Sequence, residues 1–158
     1  MTTPPAVPTL TELKLTDEIK QTIREAYVPN DHPILMAHVD DQGRPTMTFR
    51  GSVVAYSDTQ LGVWARNAEG GTSSSLPSNP NVTLVYREPG APGDRSRAVL
   101  TFRGQARIDS ADAARKQVYE TMPQRERDSD PEMKGVAIIV DLDSVTGFMP
   151  GARLQMSR

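Results

Sequence analysis

The 158-residue chain contains no cysteine. That absence excludes a thiolate nucleophile, a redox disulfide and any thiolate metal site, and it accords with a reducing compartment. No apolar run approaches the roughly 20 residues that a membrane helix needs. The opening Met1-Thr2-Thr3-Pro4-Pro5 lacks the basic and apolar regions of a secretory signal, so a cytoplasmic location and no membrane partner are expected. Charge of one sign is also missing: 18 Lys and Arg against 20 Asp and Glu leave a formal charge of -2, which provides no basic field for nucleic acid. There are only two histidines, His32 and His38, and no carboxylates cluster around either at a ligand spacing, so turn and strand positions are expected rather than a metal site. No Gly-x-Ser-x-Gly elbow supports a hydrolase triad.

The chain does have enough apolar residues, 37%, to build one domain's core, and they fall in short runs between Ile34 and Leu142. The first 14 residues, with three prolines up to Pro8, read as a flexible arm, and the domain is expected over 15–158. Thr16 as N-cap, Asp17 and Glu18 in the first turn, and Leu15, Ile19, Ile23 and Tyr27 at helical spacing predict an amphipathic helix that Pro29 stops. Ile34–Val39 and a stretch from Pro45 to Tyr56 flank the turn Asp40-Asp41-Gln42-Gly43 and predict a hairpin. Along its second strand Met47, Phe49, Gly51, Val53 and Ala55 are expected to face the core. Thr46, Thr48, Arg50, Ser52 and Val54 take the other face, which is polar enough to meet a ligand. Strands are predicted at Leu61–Ala65, Val82–Tyr86 and Ala98–Asp109, the last with the cleanest alternation in the chain. Ser110 is placed to cap a helix over Ala111–Thr121, after which Gln124–Lys134 is charged and expected to be mobile. Gly135–Leu142 is a continuous apolar run expected to be a strand buried on both faces, with a last short strand within Gly147–Met156. The expectation is a mostly β chain, β with minor α: six to seven antiparallel strands with two to three flanking helices, closed into a barrel that leaves no exposed edge.

Phe49-Arg50-Gly51-Ser52-Val53-Val54, the strand end Val63-Trp64-Ala65-Arg66, the loop Gly70-Gly71-Thr72-Ser73-Ser74-Ser75 and Ser78-Asn79-Pro80-Asn81-Val82, taken in this order and spacing, resemble the pyridoxamine 5'-phosphate oxidase-related, FMN-binding split-barrel family. The resemblance spans roughly Ile34 to Asp109. It implies a homodimer with FMN at the subunit boundary and hydride transfer to or from a small molecule. It also implies that Arg50, Gly51, Ser52 and Val53 run beside the flavin, with Arg50 reaching toward phosphate. Trp64, Ala65 and Arg66 would lie on the neighbouring strand, and Gly71, Thr72 and Ser73 in the phosphate loop. Gly71 and Thr72 stand where the family usually carries an arginine–lysine pair, Ala55 where many members have lysine, and Val99 where the oxidase has glutamine. The tail Gly151–Arg158 lacks the tryptophan- and arginine-rich ending of the true oxidases, so vitamin oxidation is not implied. A deazaflavin in place of FMN, and a non-catalytic domain that stores flavin or has lost it, remain the alternatives.

Physical chemistry gives the same residues a rationale and a plainer reading. Hydroxyls and backbone N–H groups of Thr72–Ser75 suit phosphate, and Arg50 or Arg66 would add charge-assisted hydrogen bonds. Yet serine-rich loops are commonly caps and linkers, strand arginines are commonly solvated, and Trp64 suits packing or a dimer interface as well as flavin contact.

Overall fold

The computed structural model describes residues 2, 3 and 5–158; the expected arm includes residues 1 and 4, which lie outside the described set. Thirteen elements follow in order: β1 (Thr9–Glu12), α1 (Asp17–Tyr27), β2 (Ile34–Val39), β3 (Pro45–Arg50), β4 (Val54–Ala55), β5 (Gln60–Ala65), α2 (Thr72–Ser75), β6 (Asn81–Glu88), β7 (Ala98–Asp109), α3 (Asp112–Thr121), α4 (Gln124–Arg127), β8 (Val136–Met149) and β9 (Ala152–Ser157). The chain is mostly β, as expected, with nine strands and four helices among the described residues.

β8 organises the sheet. Along one edge it pairs with β7 over nearly its whole length. Along the other, its first half pairs with β5 and its second half with β9. The sheet continues from β7 through β6 and β2 to β3, and from β9 to β1. A register shift at Arg103/Gly104 marks the change of partner on β8. A Cβ at Gly104 would lie 2.2 Å from the Asp141 carbonyl oxygen, so only glycine lets the strands approach there. The sheet splits at this point and does not close, which corrects the expectation of an edge-free barrel: β3 remains at one end of the strand order.

Burial follows from alternation. Ile138, Val140 and Leu142 enter the large core with Leu61, Val63, Leu84, Leu100 and Phe102. Ala137 and Ile139 point the other way, into a smaller core with Val54, Trp64, Ala114, Val118 and Met122 beneath α3. The continuous apolar run is thus buried on both faces, as its composition predicts. α1 packs on the large core with Ile19, Ile23 and Ala26, joined by Leu15 just before the helix; its N-cap is Thr16, whose Oγ1 accepts from the Ile19 N–H at 3.3 Å.

Four local expectations are corrected. Thr9–Glu12 is not an arm but a strand parallel to β9, with Thr9 opposite Arg153. The stretch from Pro45 to Tyr56 is interrupted at Gly51, because Gly51–Val53 turns the chain between β3 and β4. Met47 and Phe49, expected in the core, are 63% and 73% exposed, while Thr46, Thr48 and Arg50 are the half-buried side of β3. Ser110 does not cap α3, whose N-cap is Ala111.

The segment expected to be mobile, Gln124–Lys134, is clasped to the body. The Asp130 carboxylate is buried and accepts from Trp64 Nε1–H at 2.9 Å, Gly135 N–H at 2.9 Å and Lys134 N–H at 3.0 Å. Tyr119 Oη–H donates to the Asp130 carbonyl at 2.9 Å, and the Arg127 guanidinium donates to the carbonyls of Met122 and Glu120. Asp130 and Arg127 satisfy donors and acceptors of the body, while Arg125, Asp128, Glu132 and Lys134 are exposed.

Candidate functional site

A groove of about 560 Å³ opens between the β2–β3 hairpin, the end of β5 and α2. It gathers Arg50, Ala65, Arg66, Gly71, Thr72 and Ser73 from the sequence-derived set. Register explains how. Ile34, Met36 and His38 on β2 stand opposite Arg50, Thr48 and Thr46 on β3, and directly opposed residues of an antiparallel pair share a face. His38, Thr46, Thr48 and Arg50 therefore line one wall. The β5 end delivers Ala65 and Arg66 to the opposite wall, and the chain then turns through Gly71, at φ +58°, into α2.

Arg50 is the centre of this geometry. Its Nη2–H donates to Thr72 Oγ1 at 2.6 Å and its Nε–H to Thr48 Oγ1 at 3.1 Å. Both partners are neutral, and among the described residues no carboxylate lies within ion-pair distance of Arg50 or Arg66. Burial, and then the charge of Arg66, push the Arg50 guanidinium below its ordinary pKa, yet arginine stays charged in proteins. Two cations without an ion-pair partner thus share one groove, the Glu126 charge opposing the shift of Arg50 from beyond pairing distance, and Arg50 uses two of its five N–H donors. Asp40, on the same wall, accepts from the Gln42 and Arg44 N–H groups at 2.9 Å and pairs with the Arg44 side chain, so it is a turn carboxylate, as its place in the sequence suggests.

A second cavity of about 340 Å³ adjoins the groove at Arg50, which lines both. Ile23, Ala26 and Tyr27 of α1, Gly51, Val53 and Tyr56, and Pro123 enclose it. Tyr27 packs over Gly51 so closely that a Cβ there would fall 2.4 Å from its ring and from Glu126 Oε1. The cavity holds no carboxylate among its lining residues.

The remaining sequence-derived residues are placed elsewhere. Ser52 is buried, and its hydroxyl bridges the backbone of Trp64, accepting from the N–H at 3.1 Å and donating to the carbonyl at 3.3 Å. Trp64 sits in the small core, edge-on to Tyr119 at 5.2 Å with Arg115 over its ring at 5.7 Å. Neither lines the groove nor the adjoining cavity. The hydroxyls of Ser73, Ser74 and Ser75 donate to the carbonyls of Asn67 and Gly71, so the serine run largely caps itself and Thr72 is the hydroxyl turned to Arg50.

His38 is a groove residue that the sequence reading placed only as a strand position. It is 6% exposed, and its Nδ1 has no hydrogen-bond partner among the described residues. Burial, then the Arg50 charge, hold the imidazole below its usual pKa, with Asp40 opposing. The hairpin spacing was the signal that could have found it, because His38 lies opposite Thr46 on the face already assigned to a ligand.

No family model and no curated protein sequence matches the chain. Solved structures do. The "putative pyridoxamine 5'-phosphate oxidase" of Lactobacillus delbrueckii subsp. superposes with a TM-score of 0.57 at 17% identity, over 87% of this chain and 98% of that one. An FMN-binding protein from Syntrophomonas wolfei subsp. wolfei gives 0.62 at 7% identity, over 82% and 86%. The conserved hypothetical protein Rv2991 from Mycobacterium tuberculosis gives 0.64 at 17% identity, over 94% and 90%. At such identities the likeness is one of fold, and the chain has the mostly β, split-barrel fold of the pyridoxamine 5'-phosphate oxidase-like and FMN-binding proteins.

Proposed function

We propose that this chain is an FMN-binding oxidoreductase that holds the cofactor's phosphate in the Arg50–Arg66 groove. One observation carries the reading: two arginines without a carboxylate at ion-pair distance among the described residues converge in a groove that adjoins, through Arg50, a cavity lined by Ile23, Tyr27, Val53 and Tyr56 together with Lys20 and Arg24. A phosphate needs concentrated donors, and a flavin ring needs apolar cover. When bound, FMN supplies the hydride chemistry. The protein's residues do the rest: Arg50 and Arg66 neutralise phosphate, Thr72 fixes the Arg50 fork, and Tyr27, Val53 and Tyr56 supply apolar cover in the adjoining cavity.

The absorbance spectrum of freshly purified protein, followed by titration with FMN and with riboflavin, tests this. A yellow protein, or a colourless one that binds FMN in preference to riboflavin, is expected. A colourless sample that ignores FMN would leave the cofactor-free alternative, and one that takes only a deazaflavin would replace FMN with that cofactor.

A homodimer belongs to the same proposal. β3 ends the strand order and presents Met47 and Phe49 to solvent, and an unpaired edge with two large apolar side chains invites a second copy. Sedimentation at micromolar concentration should show a dimer, and Phe49→Asp should shift it toward monomer. A wild-type chain that sediments only as monomer would refute the assembly. The Arg50–Thr72 contact gives a smaller prediction. Thr72→Val removes one hydroxyl partner of the guanidinium and should weaken FMN by about 1 kcal/mol, the scale of a single hydrogen bond, readable by calorimetric titration.

A further inference from the structure

The groove contains a buried group whose hydrogen-bonding capacity no described residue meets. His38 shares the face of Thr46, Thr48 and Arg50, is 94% buried by its 6% exposure, and leaves Nδ1 unpartnered. A buried polar atom without a partner costs free energy, and here it belongs to a ring that lines the groove and feels the Arg50 charge, where a bound anion would meet a further donor once the ring is protonated. We propose that His38 is an anion-linked proton-uptake site: a phosphate or sulfate group held by Arg50 and Arg66 engages the His38 imidazole as a further donor, and the protein gains a proton as the anion binds.

The charges around the ring set the direction. Arg50 on β3, Arg66 at the end of β5 and Arg44 in the hairpin turn share the groove with it, against Asp40 and Asp41. Asp40 is committed to the turn and to Arg44. α2 contributes only hydroxyl residues. On its other side His38 borders a shallow cleft that also contains Arg103 and Asp143. Without an anion, burial and Arg50 favour the neutral ring. An anion on Arg50 cancels that repulsion and gives an added imidazole proton an acceptor. The ring's affinity for a proton therefore rises on binding, and by linkage the anion must bind more tightly when the ring is protonated. Affinity is flat at high pH, where His38 is neutral in both states. It rises as pH falls between the bound and free ionisations, about tenfold per unit of displacement, and levels off below both.

This rests on reading the groove as a phosphate site, and the experiment separates the two. Sulfate keeps its charge between pH 5 and 8, so it reports the protein's titration and not its own. Proton NMR of the two imidazoles is recorded against pH with no ligand, with sulfate, with FMN and with riboflavin. His32, which is exposed, is the internal control. The expected result is a His38 titration that moves up with sulfate and FMN, stays put with riboflavin, and leaves His32 unmoved. Sulfate affinity measured by calorimetry should rise about tenfold from pH 8 to pH 5.5. His38→Asn, shown folded by its thermal transition, should lose that rise, its sulfate affinity staying level from pH 8 to pH 5.5. A His38 shift with sulfate but none with FMN would sustain the proton linkage and overturn the flavin reading. FMN binding without any movement of His38 would overturn the linkage and leave the flavin reading intact. Failure of sulfate and FMN both to bind would overturn both.

Discussion

Arg50→Ala should weaken FMN roughly ten- to a hundredfold while leaving riboflavin binding nearly unchanged. The guanidinium is half-buried, is held at two points by the Thr48 and Thr72 hydroxyls, and has no carboxylate within ion-pair distance among the described residues. Its remaining donors are thus presented to the groove in a fixed orientation, where a charge-assisted hydrogen bond contributes about 1.5 to 3 kcal/mol. The fold should survive the change, because both hydroxyls lie along the groove and can turn to water. Arg66→Ala should act in the same direction but less, since Arg66 is exposed and more screened. Calorimetric titration at one fixed salt concentration reads both variants. Equal FMN affinity in the wild type and Arg50→Ala would remove Arg50 from the site.

The second large effect concerns stability. Asp130→Ala takes one carboxylate away from three donors, and two of them, the Trp64 indole N–H and the Gly135 N–H, are buried. Each buried donor left unmet costs about 1–3 kcal/mol, so a loss of about 3 kcal/mol is expected. For a chain of this size that lowers Tm by roughly 10 °C. The same site gives a pH dependence. Burial alone would raise the Asp130 carboxyl, but hydrogen bonds from Lys134, Gly135 and Trp64 carry it below the ordinary aspartate range. A depressed native ionisation means that the clasp's contribution is complete above about pH 4 and is lost as pH falls through the native value. Asp130→Ala should be less stable at neutral pH and should lack that part of the wild-type acid sensitivity. Denaturant midpoints at pH 7 and pH 3 check it, and an unchanged midpoint at pH 7 would contradict the clasp.

The cores were legible because their signal is local. Spacing and an N-cap gave α1, alternation gave β7, and the unbroken apolar run Gly135–Leu142 declared a strand covered on both faces. What the sequence hid depends on distant partners. β1 exists through its parallel pairing with β9 at the opposite end of the chain, and nothing in a proline-rich opening announces that. Gln124–Lys134 looked solvated because it is rich in charge, whereas Asp130 is the acceptor that a buried Trp64 requires. Met47 and Phe49 looked like core because alternation identifies a shared face without saying whether the sheet continues beyond it; on an end strand the apolar side lies open.

At the candidate site the chain's own chemistry was readable in part. Arg50, Ala65, Arg66, Gly71, Thr72 and Ser73 come together as their order suggested, and Gly51 and Val53 line the adjoining cavity. Ser52 and Trp64 do not join them, because a hydroxyl that bridges the Trp64 backbone and an indole that serves Asp130 are both consumed by the fold. His38 reads from the sequence as a strand position; its place opposite Thr46 on the ligand-facing side is legible in the hairpin spacing, whereas its unpartnered Nδ1 shows only in the folded chain.

The groove's two arginines as phosphate holders are the claim on which the functional reading stands, and a crystal structure of the protein soaked with FMN examines it most directly. The account predicts phosphate oxygens in hydrogen-bond contact with the Arg50 guanidinium and beside Arg66 and Thr72. An FMN phosphate bound away from Arg50, or a flavin bound with its phosphate in solvent, would contradict it.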